Sequence, residues 1–343
     1  MALTLPAVTR AAVYHGPGDI RIERLPVPAP GPGEVLAKIR ACGLCSSETM
    51  SWYMQRKAPV PLGHEPVGEI VTAGDGVSRR PGECVFIHHH APCHACRACR
   101  RGDYVHCQTW RRTRLMPGGL AEYAVIPAQV VSSDLLTLPP DVDDETAVFV
   151  EPLACALKAL RRARLRPDDR VAVIGLGVIG LLQVLLLRAR GVERVIGVEP
   201  LPERRAAGEK AGAQVVGGAE VDVPSRVREH TDGGADLVIV TPPSLEALRV
   251  GFDCVAPGGR LVVFTSLPPE ESWPLPVHDL FFREVTVIPS YSAGPDDTRE
   301  ALAQLVAGLS VRTLITHRLG LDDAAEGYRL VAAGQALKVV VRP

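Results

Sequence analysis

From residue 170 to 289, short apolar runs alternate with segments whose apolar positions recur at helical spacing. The runs 171–175, 195–199, 237–241 and 261–266 read as buried strands, and 181–190 and 245–255 read as helices. This βαβ rhythm predicts a doubly wound parallel sheet with helices on both faces. The first third differs in texture. Alternating runs such as Ala11-Ala12-Val13-Tyr14 and Glu34-Val35-Leu36-Ala37-Lys38-Ile39 are punctuated by glycine and proline, which predicts a strand-rich, partly open β-barrel. Asp143-Asp144-Glu145 opens a helical pattern that passes Ala147, Leu153 and Leu157 and ends at Leu160, before Pro167. After Tyr291 a helix over 297–309 leads to a last strand over 338–341. The expected division is a first domain over 1–151, a second over 152–291, and a return to the first over 292–343.

Length and composition narrow the class. A chain of 343 residues suits two domains, each large enough for its own core. With 46% apolar and 22% charged residues it reads as a soluble globular enzyme rather than a disordered or membrane protein. A net charge of −1 gives no electrostatic footprint for nucleic acid. The most apolar stretch, 171–187, is interrupted by Gly175, Gly177, Gly180 and Gln183, so no membrane span is expected. The first ten residues lack a basic region followed by a long apolar segment, which argues against a leader and for a cytoplasmic location. There the nine cysteines stay reduced, as metal ligands, nucleophiles or small core residues.

One glycine cluster has the setting that gives it chemical meaning. Arg170-Val-Ala-Val-Ile-Gly175-Leu-Gly177-Val-Ile-Gly180 places G-x-G-x-x-G between a buried strand and an apolar helix. Gly175 permits the tight turn, Gly177 lets the backbone approach a pyrophosphate, and Gly180 lets helix and strand pack closely. The helix start at Val178 and Ile179 offers free N–H groups and partial positive charge to the phosphates. Thr241, at the end of a neighbouring strand, belongs to the same candidate cofactor site. Glu199 ends the next strand, where its carboxylate accepts hydrogen bonds from ribose hydroxyls and repels a 2′-phosphate, favouring NAD. Arg204 and Arg205 follow it and either reach toward a 2′-phosphate or lie solvated at the surface, so NADP stays open. A glycine turn without any nucleotide is the alternative.

Cys93, Cys96, Cys99 and Cys107 form C-x2-C-x2-C-x7-C. Four thiolates on so short a lobe close tetrahedrally on one zinc and leave no open position, so the site is structural. Arg97, Arg100 and Arg101 offset the negative charge of such a centre. An iron–sulfur cluster is the rival, and four unligated thiols would be an oxidation liability.

Upstream lie Ala41-Cys42-Gly43-Leu44-Cys45-Ser46-Ser47-Glu48 and Gly63-His64-Glu65-Pro66. With these motifs in this order, the chain resembles the zinc-containing medium-chain dehydrogenase/reductase family, which includes alcohol, sorbitol and threonine dehydrogenases. The similarity runs over nearly the whole length. It implies a GroES-like catalytic domain joined to a Rossmann domain, with the active site in the cleft between them. It also implies two zincs per chain, NAD or NADP as cofactor, and a homo-oligomer, tetramer or dimer. Residue by residue, the resemblance makes Cys45 the thiolate ligand of a catalytic zinc and His64 the imidazole ligand. Glu151, in Glu151-Pro152-Leu153-Ala154, stands where a third ligand is expected, and Glu65 is its rival. Such an open site lets zinc act as a Lewis acid while hydride passes between a secondary alcohol, polyol or hydroxy-amino acid and the nicotinamide. Ser47 occupies the position of the first proton carrier.

Two residues depart from the family pattern. Glu48 replaces the usual aspartate that hydrogen-bonds a ligand imidazole, and Met50 replaces a histidine that passes the proton to solvent. His88-His89-His90 reads either as a polar pocket wall, with His90 three residues before the first lobe cysteine, or as a surface cluster. Cys42 and Cys155 read as small buried residues. The competing functions are a biosynthetic carbonyl reductase of the same family and, from another class, an inactive relative whose cysteine lobe is an interaction module.

Overall fold

The computed structural model describes residues 7–217 and 221–343. Residues 1–6, on which the expectation about a leader partly rests, lie outside the described residues. The chain divides into two compact units, Met1–Ala154 with Ala293–Pro343, and Cys155–Ser292. The boundaries fall at 154/155 and 292/293, where the sequence suggested 151/152 and 291/292.

In the first unit, β1 (Val8–Gly16) and β2 (Asp19–Pro26) pair antiparallel, and β4 (Val60–Pro61) lies on the other side of β1. The larger sheet is centred on β3 (Val35–Gly43), which is buried except at Lys38 and Arg40. On one side β3 pairs antiparallel with β5 (Glu65–Ala73), beyond which lie β6 (Cys84–Ile87) and β8 (Leu135–Thr137). Its other side takes β7 (Tyr123–Ile126) along residues 35–38.

The second unit holds β9 (Val171–Ile174), β10 (Val195–Val198), β11 (Gln214–Val216), β12 (Ala235–Val240), β13 (Val255–Val263) and β14 (Thr286–Pro289). All pairs are parallel, in the order β11-β10-β9-β12-β13-β14. Numbered within the unit this is 3-2-1-4-5-6, the order of dinucleotide-binding sheets. Buried on both faces, β9 and β10 must be continuously apolar rather than alternating. The helix Val178–Ala189 packs beside them and is apolar nearly all round.

After residue 292 the chain returns to the first unit. There β15 (Ile315–Gly320) and β16 (Lys338–Arg342) run parallel, and β16 adds antiparallel to β3, with Val341 opposite Cys42 and Val340 opposite Gly43. Glu145 fastens this return: its carboxylate accepts from Arg318 Nε at 2.9 Å, Arg312 Nη2 at 3.1 Å and Arg342 Nη2 at 3.2 Å.

The helix expected from 143 to 160 is two helices, Asp144–Ala147 and Val150–Arg162. Asp143 caps the first by accepting from Thr146 N–H at 2.8 Å. Pro152 has no N–H to give the Val148 carbonyl, so it fits only in the first turn of a new helix.

Candidate functional site

The cysteine lobe is built of three short helical turns, Arg97–Arg100, Tyr104–His106 and Gln108–Arg112, packed around buried Val105 and Trp110. All nine cysteines are free. The sulfurs of Cys96 and Cys99 are 3.5 Å apart, those of Cys93 and Cys107 3.6 Å, and those of Cys93 and Cys99 4.0 Å. A zinc with bonds of about 2.3 Å to four tetrahedral sulfurs sets them about 3.8 Å apart. The lobe therefore has the dimensions of one zinc, with no room for a multinuclear cluster among its thiolates.

A second donor set lies where β3 and β5 end side by side. Gly43 on β3 is opposite Glu65 on β5, so Cys45, just beyond β3, and His64, just before β5, are brought together. Donor atoms of Cys45, His64 and Glu65 lie within 4.8 Å of one another. His64 Nδ1 meets Glu48 Oε1 at 2.9 Å, and the same oxygen accepts from Gly63 N–H at 3.0 Å. The other Glu48 oxygen accepts from the Tyr328 hydroxyl. The longer side chain thus makes the contact expected of an aspartate, and with Nδ1 occupied, Nε2 of His64 is left as the ligand atom. Burial pushes the Glu48 carboxyl up, but the His64 charge and the hydrogen bonds from His64, Tyr328 and Gly63 outweigh it, so it lies below the usual carboxylate range. Burial likewise opposes the charged form of His64, yet Glu48 and Cys45 raise its pKa well above the ordinary imidazole value. A metal ion at this position competes with that proton. The Ser47 hydroxyl donates to Cys45 Sγ at 3.3 Å.

Glu65 is wholly buried and pairs with Lys338 on β16, Nζ to Oε2 at 2.5 Å. Gly43 makes the space, because a Cβ there would lie 2.0 Å from Glu65 Oε2. Burial disfavours the Lys338 ammonium, but Glu65 and Cys45 hold its pKa above normal. The other Glu65 oxygen, Oε1, is buried with no hydrogen-bond partner among the described residues. A sulfur, an imidazole nitrogen and a carboxylate oxygen left unsatisfied in the interior fit an open zinc site.

Glu151 sits differently. Its donor atoms group with those of His88 and His89, although its charge is near enough to act on both Glu65 and Lys338. His88 is fully buried against Asp134, and His89 lies 5.1 Å from His64 between ring centroids. His90 packs tilted against Trp110 with ring centroids 4.0 Å apart, and its Nδ1 meets the Thr113 carbonyl at 2.9 Å. Burial, with the charges of His88 and Arg114, takes the His90 pKa down to about 2. Burial first, then its three histidine neighbours, keeps His89 well below the ordinary value. The histidine run is therefore not a surface cluster: His88 and His90 are buried and His89 is partly so.

In the second unit each fingerprint glycine has a distinct reason. Gly175 has φ +87°, and a Cβ there would come 2.7 Å from Thr241 Oγ1. A Cβ on Gly180 would lie 1.9 Å from the Gly175 carbonyl oxygen. Over Gly177, by contrast, the nearest atom to an added Cβ is Arg204 Nη1 at 3.9 Å, which leaves the approach open for a phosphate. Gly177 heads the helix Val178–Ala189, and no side chain among the described residues caps it. Thr241 Oγ1 lies 3.0 and 3.1 Å from the Ile174 and Gly175 carbonyls, and Glu199 accepts from Leu176 N–H at 2.8 Å and Leu201 N–H at 3.1 Å. Thr241 and Glu199 thus brace the turn itself. The turn stands at the end of β9, between β10 and β12, where the strand order reverses.

Sequence reasoning did not single out Tyr328, Asp134 or the pairing role of Lys338. Lys338 carried a signal, a lone charge opening a valine run, since a buried charge demands a partner. Tyr328 and Asp134 carried none.

Residues 31–137 match the family model for the alcohol dehydrogenase GroES-like domain, and 178–307 that for the zinc-binding dehydrogenase. An L-threonine 3-dehydrogenase of Pyrococcus abyssi is 34% identical, with 99% of each chain covered. An erythritol/L-threitol dehydrogenase of Mycolicibacterium smegmatis is 30% identical, with 100% of each covered. Among solved structures, a zinc-binding dehydrogenase from Sinorhizobium meliloti with NADP bound aligns with a TM-score of 0.87 at 29% identity, covering 98% of this chain and 100% of that one.

Proposed function

The chain belongs to the zinc-containing medium-chain dehydrogenase/reductase family, and from that premise we propose that Cys45, His64 and a carboxylate from Glu65 or Glu151 hold its catalytic zinc. It is a zinc-dependent oxidoreductase that moves a hydride between an alcohol, polyol or hydroxy-amino acid and NAD(P). The observation that carries the site assignment is the mixed sulfur, nitrogen and oxygen set beside an unsatisfied buried Glu65 oxygen.

A zinc bound there supplies Lewis acidity toward the substrate oxygen. The protein's own groups do the positioning. Glu48, itself held by Tyr328 and the Gly63 amide, fixes the His64 ring so that Nε2 points to the donor set. Ser47 Oγ, hydrogen-bonded to Cys45 Sγ, is the first acceptor of the substrate's hydroxyl proton. In the second unit the bare Gly177 backbone and the uncapped helix start take the pyrophosphate, and the Glu199 carboxylate supports a preference for NAD over NADP. The tetrathiolate lobe holds a second, structural zinc, which its sulfur spacings support.

A homo-oligomer is consistent with the exposed Val277, Phe281 and Phe282 of the helix Val277–Phe282, 64%, 69% and 72% accessible. No helix among the described residues is long and apolar enough to cross a membrane, in keeping with the proposed cytoplasmic location.

The test is Cys45→Ser. Turnover of secondary alcohols, threonine and sugar alcohols is expected to be lost, while stabilisation by NAD in a thermal-shift assay persists because its contacts lie in the second unit. Full activity in this variant would show the assignment of Cys45 to be wrong.

A further inference from the structure

The His88, His89 and Glu151 donors deserve a use of their own. Their ligand atoms lie within 4.8 Å of one another, as closely grouped as those of Cys45, His64 and Glu65. His88 and His89 follow β6, and Glu151 stands in the first turn of the helix Val150–Arg162, so the set is assembled from other segments than those carrying Cys45 and His64.

Two buried nitrogens in this set have no hydrogen-bond partner among the described residues, His88 Nε2 and His89 Nδ1. A buried acceptor or donor left unmade is unfavourable, and two beside a carboxylate form a site that a cation would satisfy. The bracing behind His88 points the same way. Its Nδ1 meets Asp134 Oδ2 at 2.6 Å with both side chains fully buried, and Asp134 Oδ1 accepts from the Thr298 hydroxyl at 2.5 Å. His64 is held by the same construction, with Glu48 on Nδ1 and Tyr328 behind it. A carboxylate on one nitrogen of an imidazole fixes the ring and raises the basicity of the other, the arrangement found behind metal-bound histidines.

We propose that His88, His89 and Glu151 form a further metal position beside the Cys45–His64 position, selective for a borderline divalent ion such as zinc or cobalt(II). Two imidazoles and one carboxylate are the donors such ions prefer, and they discriminate against magnesium and calcium. The 5.1 Å between the His64 and His89 rings sets the two positions side by side, and the Glu151 charge is near enough to act on Glu65 and Lys338.

The full chain, stripped and then dialysed against zinc, is analysed for bound metal. One ion is expected for each of the three donor sets. His89→Asn, a change at a partly exposed residue, is expected to remove one ion, Cys45→Ser a different one, and the double variant both. Asp134→Asn should weaken the His88-dependent ion about 10- to 100-fold. A parent count lower by one and unchanged in His89→Asn overturns the proposal. So does a lower count in which His89→Asn shifts the thiolate charge-transfer band of cobalt(II) at Cys45, since His89 would then complete the first ion's shell. Failure of the catalytic-zinc reading is distinct, because it appears as a count that Cys45→Ser leaves unchanged.

Discussion

Lys338→Met tests whether Glu65 is held in the interior as a charge. Nζ is 2.5 Å from Glu65 Oε2, with the two side chains 2% and 0% exposed, and a Cβ on Gly43 would meet Glu65 Oε2 at 2.0 Å and Lys338 Nζ at 3.3 Å, so the pair is packed against that glycine. Removing one partner of a buried ion pair costs about 3–5 kcal/mol. The carboxyl has an escape, which is to take up a proton. Taking up a proton at pH 7 by a group whose ordinary pKa is 4.5 costs about 1.4 kcal/mol for each pH unit between them, which caps the loss at about 3 kcal/mol at pH 7. The sign follows from linkage. In the parent, burial already raises the Glu65 pKa against the pull of Lys338 and His64; without Lys338 it rises further above the unfolded value, so its contribution is fully present below pH 4.5 and lost as the pH rises, more steeply than in the parent. The deficit against the parent should therefore be large at pH 7 and nearly gone at pH 4.5. Urea unfolding in chelator at several pH values measures it. Glu65→Gln combined with Lys338→Met should recover most of the loss, and zinc should narrow it, because the ion offers Glu65 another cation. If Lys338→Met is as stable as the parent at pH 7 in chelator, the buried pair has been misjudged.

Three further outcomes are expected. Gly180→Ala puts a Cβ 1.9 Å from the Gly175 carbonyl, so the helix must move off β9; a loss of about 1–3 kcal/mol and a weaker NAD-induced rise in melting temperature should result, and an unchanged NAD response would contradict the role given to this turn. Glu145 is held down to about 2, first by its hydrogen bond from Arg318 against burial, then by Arg342; its contribution is present above 4.5 and lost as pH falls toward 2. Because its arginine partners are half exposed, the effect is on the order of 2 kcal/mol after screening, and Glu145→Gln should flatten the acid limb of a stability-against-pH curve. Glu199→Ala should lower the ratio of kcat/KM for NAD to that for NADP about tenfold or more, and a ratio that does not move would assign Glu199 to bracing Leu176 alone.

The second unit was the more legible half of the fold because its central strands β9, β10 and β12 are buried on both faces. A run such as Val-Ala-Val-Ile over 171–174 has few other uses, and the glycines beside it report backbone geometry directly. The misses there lie toward the sheet edges: the strand read from 261 begins at Val255, and β11 and β14 were not singled out. In the first unit, β4, β6 and β8 are two to four residues long and took no periodic signal. The uncounted Pro152 is what turned one expected helix into two.

For the site, what the sequence displays is need, and what it conceals is supply. A lysine leading three valines, or three histidines in a row ahead of a cysteine lobe, announces buried polarity that must be answered. The answering groups come from far along the chain: Glu65 is met from 273 residues away, Glu48 from 280, and Asp134 from 164. Those distances are spanned because β16 joins β3 at Cys42 and Gly43, which brings Lys338 beside the ends of β3 and β5. The return of the C-terminal segment is therefore part of the proposed metal site: it adds to β3 the strand that carries the counter-charge of Glu65, and Tyr328, on the helix before that strand, holds Glu48. Truncating that segment would leave Cys45, His64 and Glu65 in the chain but remove the groups that aim them.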